Sequence, residues 1–355
     1  MSEQYARYTD ALYVEKCNEL MDELPDFCKT YYQGMQLRLA NRSQYNYLVK
    51  MKVFLTYLTE SGICKGKKIK DIDLSDINKL KVSDMESFIT WLLQRPSRYK
   101  GLKNSKSTAE NYISSLSSMF TYFVSREMLD KNPTRGLVRE KKKKKKIIYL
   151  EKDDMNTLLD TTWEGVDLSK KQQEFRNKGN TAIRDGCIMQ ILLDTGIRVA
   201  ELVGLDVEDV DLKHSKLNIH RKGDKDEYVS FSDATSEIIT GYLEERNSFM
   251  PVDNERALFL VSIGKYKGER MSIRSIERLV KKYCMASGVK DSGKMSPHKM
   301  RSTYAMNMLD ASGNIALVKE QLGHNSIMTT TTYAEARQKV KEDYRNAIFS
   351  QGSEK

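Results

Sequence analysis

Apolar residues in the first part of the chain recur three and four apart, the spacing of one face of an α-helix. Tyr47, Met51, Phe54, Leu55 and Leu58 form one such stripe. Met85, Phe88, Ile89 and Leu92 form another, preceded by Ser83 and Glu86 in the arrangement of a capping box. Ser107 and Glu110 repeat that signal ahead of Tyr112, Leu116, Met119, Phe120 and Phe123. Residues 1–138 therefore predict a helical domain whose stripes meet in the core of a small bundle. Asn132-Pro133 is expected to end the last helix, because the residue before a proline is driven out of helical backbone.

Six consecutive lysines follow, Lys141, Lys142, Lys143, Lys144, Lys145 and Lys146. Like charges in a block repel and resist folding, so residues 139–147 read as a linker. The run also has the look of a nuclear localisation signal, a weak pattern. Beyond it, residues 148–355 predict an α-rich domain with a small antiparallel sheet. Asp153 to Leu159 begins a helix, and Ile188 to Leu193 reads as a buried helix that stops at Gly196. Leu217-Asn218-Ile219-His220 and Tyr228-Val229-Ser230-Phe231 alternate as strands around a turn at Lys222-Gly223-Asp224-Lys225. Further helices are expected near 273–286, 298–311 and 315–322, and the polar residues 162–180 are expected as an exposed loop.

Composition narrows the function. The chain has 355 residues, 39% of them hydrophobic, enough for two domains. Its formal charge of +10 points to an anionic partner, with nucleic acid leading and an unspecific basic surface as the alternative. Lys100, Lys103 and Lys106 are placed to meet phosphates or simply to face solvent, and the same choice holds for the lysine run. The five cysteines are odd in number and unspaced for a metal clip or a disulfide framework, which fits a reducing cytoplasm. No apolar signal region opens the chain, and no stretch approaches the ~18 to 20 apolar residues of a membrane span.

The candidate chemistry is basic and phenolic. Ser296-Pro297-His298-Lys299-Met300-Arg301 starts a helix with an N-cap serine and a proline at the first position. His298 and Arg301 then stand one turn apart near free backbone N–H groups, a good seat for a phosphate. Arg198 follows the glycine break in Thr195-Gly196-Ile197-Arg198, where Glu201 one turn later can hold it. Lys222 at the hairpin tip can reach into a groove and protonate a leaving oxygen, with Lys225 as a near rival. His324 follows Leu322-Gly323, and Tyr333 follows the run Thr329 to Thr332. His214 and His220, on or beside the first strand, are expected to be structural or exposed.

Taken in chain order, Arg198, Lys222, His298, Arg301, His324 and Tyr333 resemble the tyrosine recombinase (phage integrase) family. The resemblance spans roughly residues 40–335, and its segments are TGIRVAEL, SPHKMR and LGH. Within the family the chain is most similar to the single-protein Xer recombinases of streptococci and lactococci, through LPDFCKTYYQ, SDMESFITWL and RKGDKDEYVSF. Met300 stands where leucine is usual, and Ser302-Thr303-Tyr304 departs from the usual His-Thr.

The resemblance implies a mainly α fold. A helical core-binding (SAM-like) domain and a catalytic domain with a tail helix would form a C-shaped clamp on DNA. It implies that Tyr333 is the nucleophile and forms a 3′-phosphotyrosyl intermediate. Arg198 and Arg301 would neutralise the phosphate, Lys222 would be the general acid, His298 a base or phosphate ligand, and His324 a hydrogen-bond donor. No cofactor or metal is expected, so the reaction should survive EDTA. The expected partners are double-stranded DNA with an inverted-repeat core site and three further copies of the chain. A DNA translocase or a directionality factor would be the accessory partner, and the place of action the cytoplasmic nucleoid. Chromosome dimer resolution is the favoured role, because the segment before about residue 40 looks too short for an arm-binding domain. A mobile-element integrase, a DNA inversion enzyme, a type IB topoisomerase and a catalytically silent DNA-binding protein are the rivals.

Overall fold

The computed structural model describes residues 3–97, 101–138, 146–221 and 225–323. The chain divides into two compact units, one spanning Arg7–Lys143 and the other running from Lys144 onward together with Met1–Ala6.

The first unit is built from α1 (Glu3–Met21) beyond its first turn, α2 (Asp26–Gln36), α3 (Asn41–Glu60), α4 (Leu74–Asn78), α5 (Val82–Gln94) and α6 (Lys106–Val124). The apolar stripes meet as the periodicity predicts. Phe54 and Phe88 cross edge to face at 5.1 Å, with Phe120 beside them at 6.2 Å from Phe54. Each such side chain stabilises by about 1.5–3 kcal/mol when fully buried, so packing rather than helix propensity holds these helices.

Three local expectations are corrected. The cap of α5 is Lys81, whose backbone N–H donates to Asp84 at 2.7 Å; Ser83 and Glu86 lie inside the helix. The cap of α6 is Ser105, whose hydroxyl accepts from the Thr108 N–H at 3.1 Å, two residues before the expected serine. Helix α6 also ends at Val124, well before Asn132-Pro133. Glu127 adopts φ 57, through which no helix continues, and the reversed chain brings Leu129 into the core. Asn132 instead pins the exit segment to α6, donating to Thr121 Oγ1 at 3.0 Å while its own oxygen caps Thr134.

The second unit contains α7 (Lys152–Glu164), α8 (Lys170–Lys178), α9 (Ala182–Thr195), α10 (Val199–Val203) and α11 (Asp233–Glu245). It continues with α12 (Ile273–Ser287), α13 (Pro297–Ser312) and α14 (Ile315–Leu322). Its sheet is antiparallel, β1 (Val210–Asp211) to β2 (Lys216–Arg221) to β3 (Lys225–Ser230), with Leu217 opposite Val229 and Arg221 opposite Lys225. Helix α9 is the axis of the unit, buried along nearly its whole length and packed against α7, α11 and α13.

Residues 162–180 are not the expected loop: they hold the end of α7 and all of α8. Ser169 and Gln172 form the capping box, with the Ser169 N–H donating to Gln172 at 2.9 Å. The inward anchor of α8 is Arg176, which donates to the Tyr283 hydroxyl at 3.3 Å and to the Trp163 carbonyl. Apolar periodicity cannot reveal a helix that is anchored by a guanidinium. Helix α11 and strand β1 add to the expected elements; Asp194 seats the start of α11 by accepting from Ser232 N–H at 2.7 Å.

Candidate active site

The site is assembled on the turn that follows α9. Gly196 ends that helix with φ 61, and a Cβ there would lie 2.4 Å from the Tyr304 ring. Glycine thus lets α9 and α13 approach and leaves the Gly196 carbonyl pointing at Arg301. Arg301, 3% exposed, donates to that carbonyl at 2.6 Å and to the carbonyl of Leu322 at the end of α14. A cation at a helix C-terminus is favoured by the dipole and by the orphan carbonyls.

Arg198 starts α10. Its backbone N–H and its Nη1 both donate to the Glu201 carboxylate, at 2.7 and 2.6 Å, so Glu201 orients the guanidinium as expected. The Arg198 side chain remains 44% exposed and open to an anion, whereas Glu201 is buried.

Pro297 opens α13 and Ser296 sits at its N-cap with extended backbone, although the serine hydroxyl makes no capping bond. His298 is exposed on the first turn. Partial desolvation of the ring, followed by the charges of Lys299, Arg301 and Arg198, holds its pKa below the ordinary 6.5. The imidazole is therefore neutral near pH 7 and able to accept a proton or a hydrogen bond. That Arg198 and Arg301 both act on this ring places the three groups in one electropositive patch.

Arg221, which the sequence reading missed, completes the patch at the end of β2. It is 7% exposed and ion-pairs with Glu227, while its Nε lies 3.7 Å from Glu201. Its Nη2 donates to the Gln321 carbonyl at 3.3 Å. Gly323, at φ 56, lies under this guanidinium so closely that any Cβ would collide with it. A buried arginine next to an expected catalytic lysine leaves no periodic signal in the sequence.

Lys222, His324 and Tyr333 lie outside the described residues, as do Lys100 and Lys141 to Lys145. Lys103, Lys106 and Lys146 are exposed. Sequence reasoning also passed over a basic row on α12. Arg274, Arg278, Lys281 and Lys282 line a groove of about 500 Å³ with Gln172, Glu277 and Met285. Their spacing opposite the buried Ile276, Leu279, Val280 and Tyr283 was the available signal. His214 is exposed and paired with Asp211 at 2.7 Å. Among the described residues, no group of three or more His, Cys, Asp or Glu is arranged to hold a metal ion. No described helix is long and apolar enough to cross a membrane.

Residues 148–339 match the phage integrase family, and residues 21–146 match the phage integrase SAM-like domain. The chain belongs to the phage integrase family. The tyrosine recombinase XerS of Streptococcus agalactiae is 31% identical to this recombinase over 364 residues, covering 95% of this chain and 98% of that one. XerS of Streptococcus uberis is 30% identical over 358 residues, with the same coverage. The fold is that of solved recombinases. XerH bound to a palindromic difH substrate in a post-cleavage complex aligns with TM-score 0.59 and 19% identity, covering 83% of this chain and 76% of that one. A lambda integrase dimer bound to a COC′ core site aligns with TM-score 0.59 and 15% identity, covering 87% and 76%. This chain is accordingly a site-specific tyrosine recombinase of Xer type, an enzyme of DNA breakage and rejoining. A mobile-element integrase or a silent DNA-binding protein is not favoured.

Proposed function

We propose that this recombinase resolves chromosome dimers by exchanging strands at one inverted-repeat site, with Tyr333 as nucleophile. The phenol oxygen attacks the scissile phosphorus and forms a 3′-phosphotyrosyl bond, and the 5′-oxygen leaves with a proton from Lys222. The 5′-hydroxyl of a partner strand then reverses the step, so bond energy is kept and no nucleotide is hydrolysed. A free tyrosine titrates near ~10, so the attack needs a base and strong positive charge at the phosphate. Arg198 and Arg301 supply that charge, His298 accepts the proton or binds the phosphate, and His324 donates to a phosphate oxygen. Removing one preorganised donor of this kind costs on the order of 10²- to 10³-fold in rate.

The observation that carries this reading is the pairing of exposed Arg198 with buried Arg301 around the Gly196 turn, beside a neutral His298. Both units contribute contacts to duplex DNA. Lys100, Lys103, Lys106, the lysines from Lys141 to Lys146 and, on α12, Arg274, Arg278 and Lys281 serve as phosphate contacts. A net charge of +10 supports this, and binding should weaken steeply with salt. Four copies assemble on paired sites in the nucleoid, with a DNA translocase as accessory partner. Similarity to XerS proteins along 95% of the chain favours the housekeeping role over a mobile-element one.

A covalent trap tests the chemistry. The protein and its Tyr333→Phe variant are mixed with nicked suicide duplexes carrying inverted repeats from beside the gene, then denatured in SDS. An adduct with the parent alone, persisting in EDTA, is the expected result. Salt-sensitive binding without an adduct from either protein would overturn the cleavage reading.

A further inference from the structure

The contacts around Gly196 close into a ring. Arg301 donates to the Gly196 carbonyl at 2.6 Å, two residues before Arg198. Arg198 donates to Glu201 Oε1 at 2.6 Å, and the same oxygen lies 3.7 Å from Arg221 Nε. Arg221 donates to the Gln321 carbonyl at 3.3 Å, and Arg301 donates to the next carbonyl, that of Leu322. The path has returned to its start.

Arg198 and Arg301 have their place in the cleavage chemistry, and Glu201 orients Arg198. Arg221 has no such place. Its Nε is buried and makes no hydrogen bond among the described residues, and its partner is the Glu201 carboxylate at 3.7 Å. What only a guanidinium can do is reach a carboxylate and a helix-terminal carbonyl together, with a rigid fork. Gly323 leaves its whole surface to that fork.

We propose that Arg221 is a positioning residue for strand cleavage. It holds Glu201, and through it Arg198, at a fixed place relative to Arg301, so that both guanidinium groups meet one phosphate. The proposal rests on the reading of Arg198 and Arg301 as phosphate ligands. Displacing one of them by about an ångström costs on the order of 10²-fold in rate, while binding of the DNA flanks is untouched.

The test uses two suicide duplexes in the full-length protein, one with the natural scissile phosphate and one with a methylphosphonate there. The methyl group replaces a charged non-bridging oxygen, so the neutral substrate depends less on arginine. Rates of adduct formation at saturating DNA are compared for the parent, Arg198→Ala, Arg221→Met and Glu227→Gln. Arg221→Met is expected to slow the phosphate by on the order of 10²-fold and to stay near the parent rate on the methylphosphonate, the pattern expected of Arg198→Ala. Glu227 is 42% exposed at its side chain, so Glu227→Gln only loosens Arg221. Roughly twofold to fivefold loss in the same pattern is expected, and this variant carries the test if Arg221→Met fails to fold. Equal slowing on both substrates, or none, while Arg198→Ala discriminates between them, would overturn the role of Arg221 alone. If Arg198→Ala itself does not discriminate, the phosphate-ligand reading falls and takes this proposal with it.

Discussion

Gly196 and Gly288 make a matched pair. Both end a helix in the left-handed region, with φ 61 and φ 64. Around Gly288 a Cβ would meet nothing within 4 Å, whereas at Gly196 it would come within 2.4 Å of Tyr304 Cδ1 and 3.1 Å of Tyr304 Cβ. Contact with the Cβ means that Tyr304 cannot simply swing its ring away. Alanine at either position carries the left-handed backbone cost of about 1–2 kcal/mol. At Gly196, overpacking adds about 1–3 kcal/mol, for a total of about 2–5 kcal/mol. Urea unfolding measures both. Trp91 lies in the first unit and Trp163 in the second, so in a Trp91→Phe background the fluorescence of Trp163 follows the second unit alone. Gly196→Ala should also slow adduct formation, because the Gly196 carbonyl is an acceptor for Arg301; Gly288→Ala should not. Equal unfolding free energies for the two variants, within about 0.5 kcal/mol, would refute the steric argument.

His298 is held below 6.5, so it contributes stability that is complete above that pH and is lost as pH falls toward the lower folded value. Thermal melts should therefore show the parent losing more stability than His298→Gln between neutral and acid pH; parallel losses would contradict the shift. Asp185, 1% exposed, is shared by Arg184 at 2.7 Å, Lys282 at 3.1 Å and Tyr283 at 2.9 Å. Asp185→Asn strands those cations and should cost about 3–5 kcal/mol in the Trp163 unfolding assay, with a loss below about 1 kcal/mol counting against the network. All five cysteines are buried and free, and burial pushes the Cys28 and Cys187 thiols up and that of Cys284 to about 12. A thiol reagent should label none quickly in the native protein and five in urea, so fast native labelling would contradict that burial.

Elements with a plain apolar stripe, such as α3, α5 and α6, were readable in the sequence because their buried faces are carried by Leu, Met and Phe. The caps of α5 and α6 were misplaced by two residues. Ser, Asp and Glu crowd these starts in several overlapping frames, and the frame used depends on where Met85 and Ile113 must point to reach the core. Helix α8 escaped because Arg176 does the work of an apolar anchor.

By itself the sequence determined the main helices, the antiparallel hairpin and the chain order of the basic groups. Helical periodicity and the spacing within one turn are local properties, and a linear chain states them directly. The tertiary structure alone decided that Arg198 shares a carboxylate with Arg221 and that Arg301 spans the Gly196 and Leu322 carbonyls. Arg221 and its acceptor Gln321 stand 100 residues apart, and Arg301 and Gly196 stand 105 apart. No local rule couples residues at such separations. They meet because burying α9 brings the ends of β2, α13 and α14 onto one turn, where buried guanidinium groups must find carbonyls and carboxylates to remain charged.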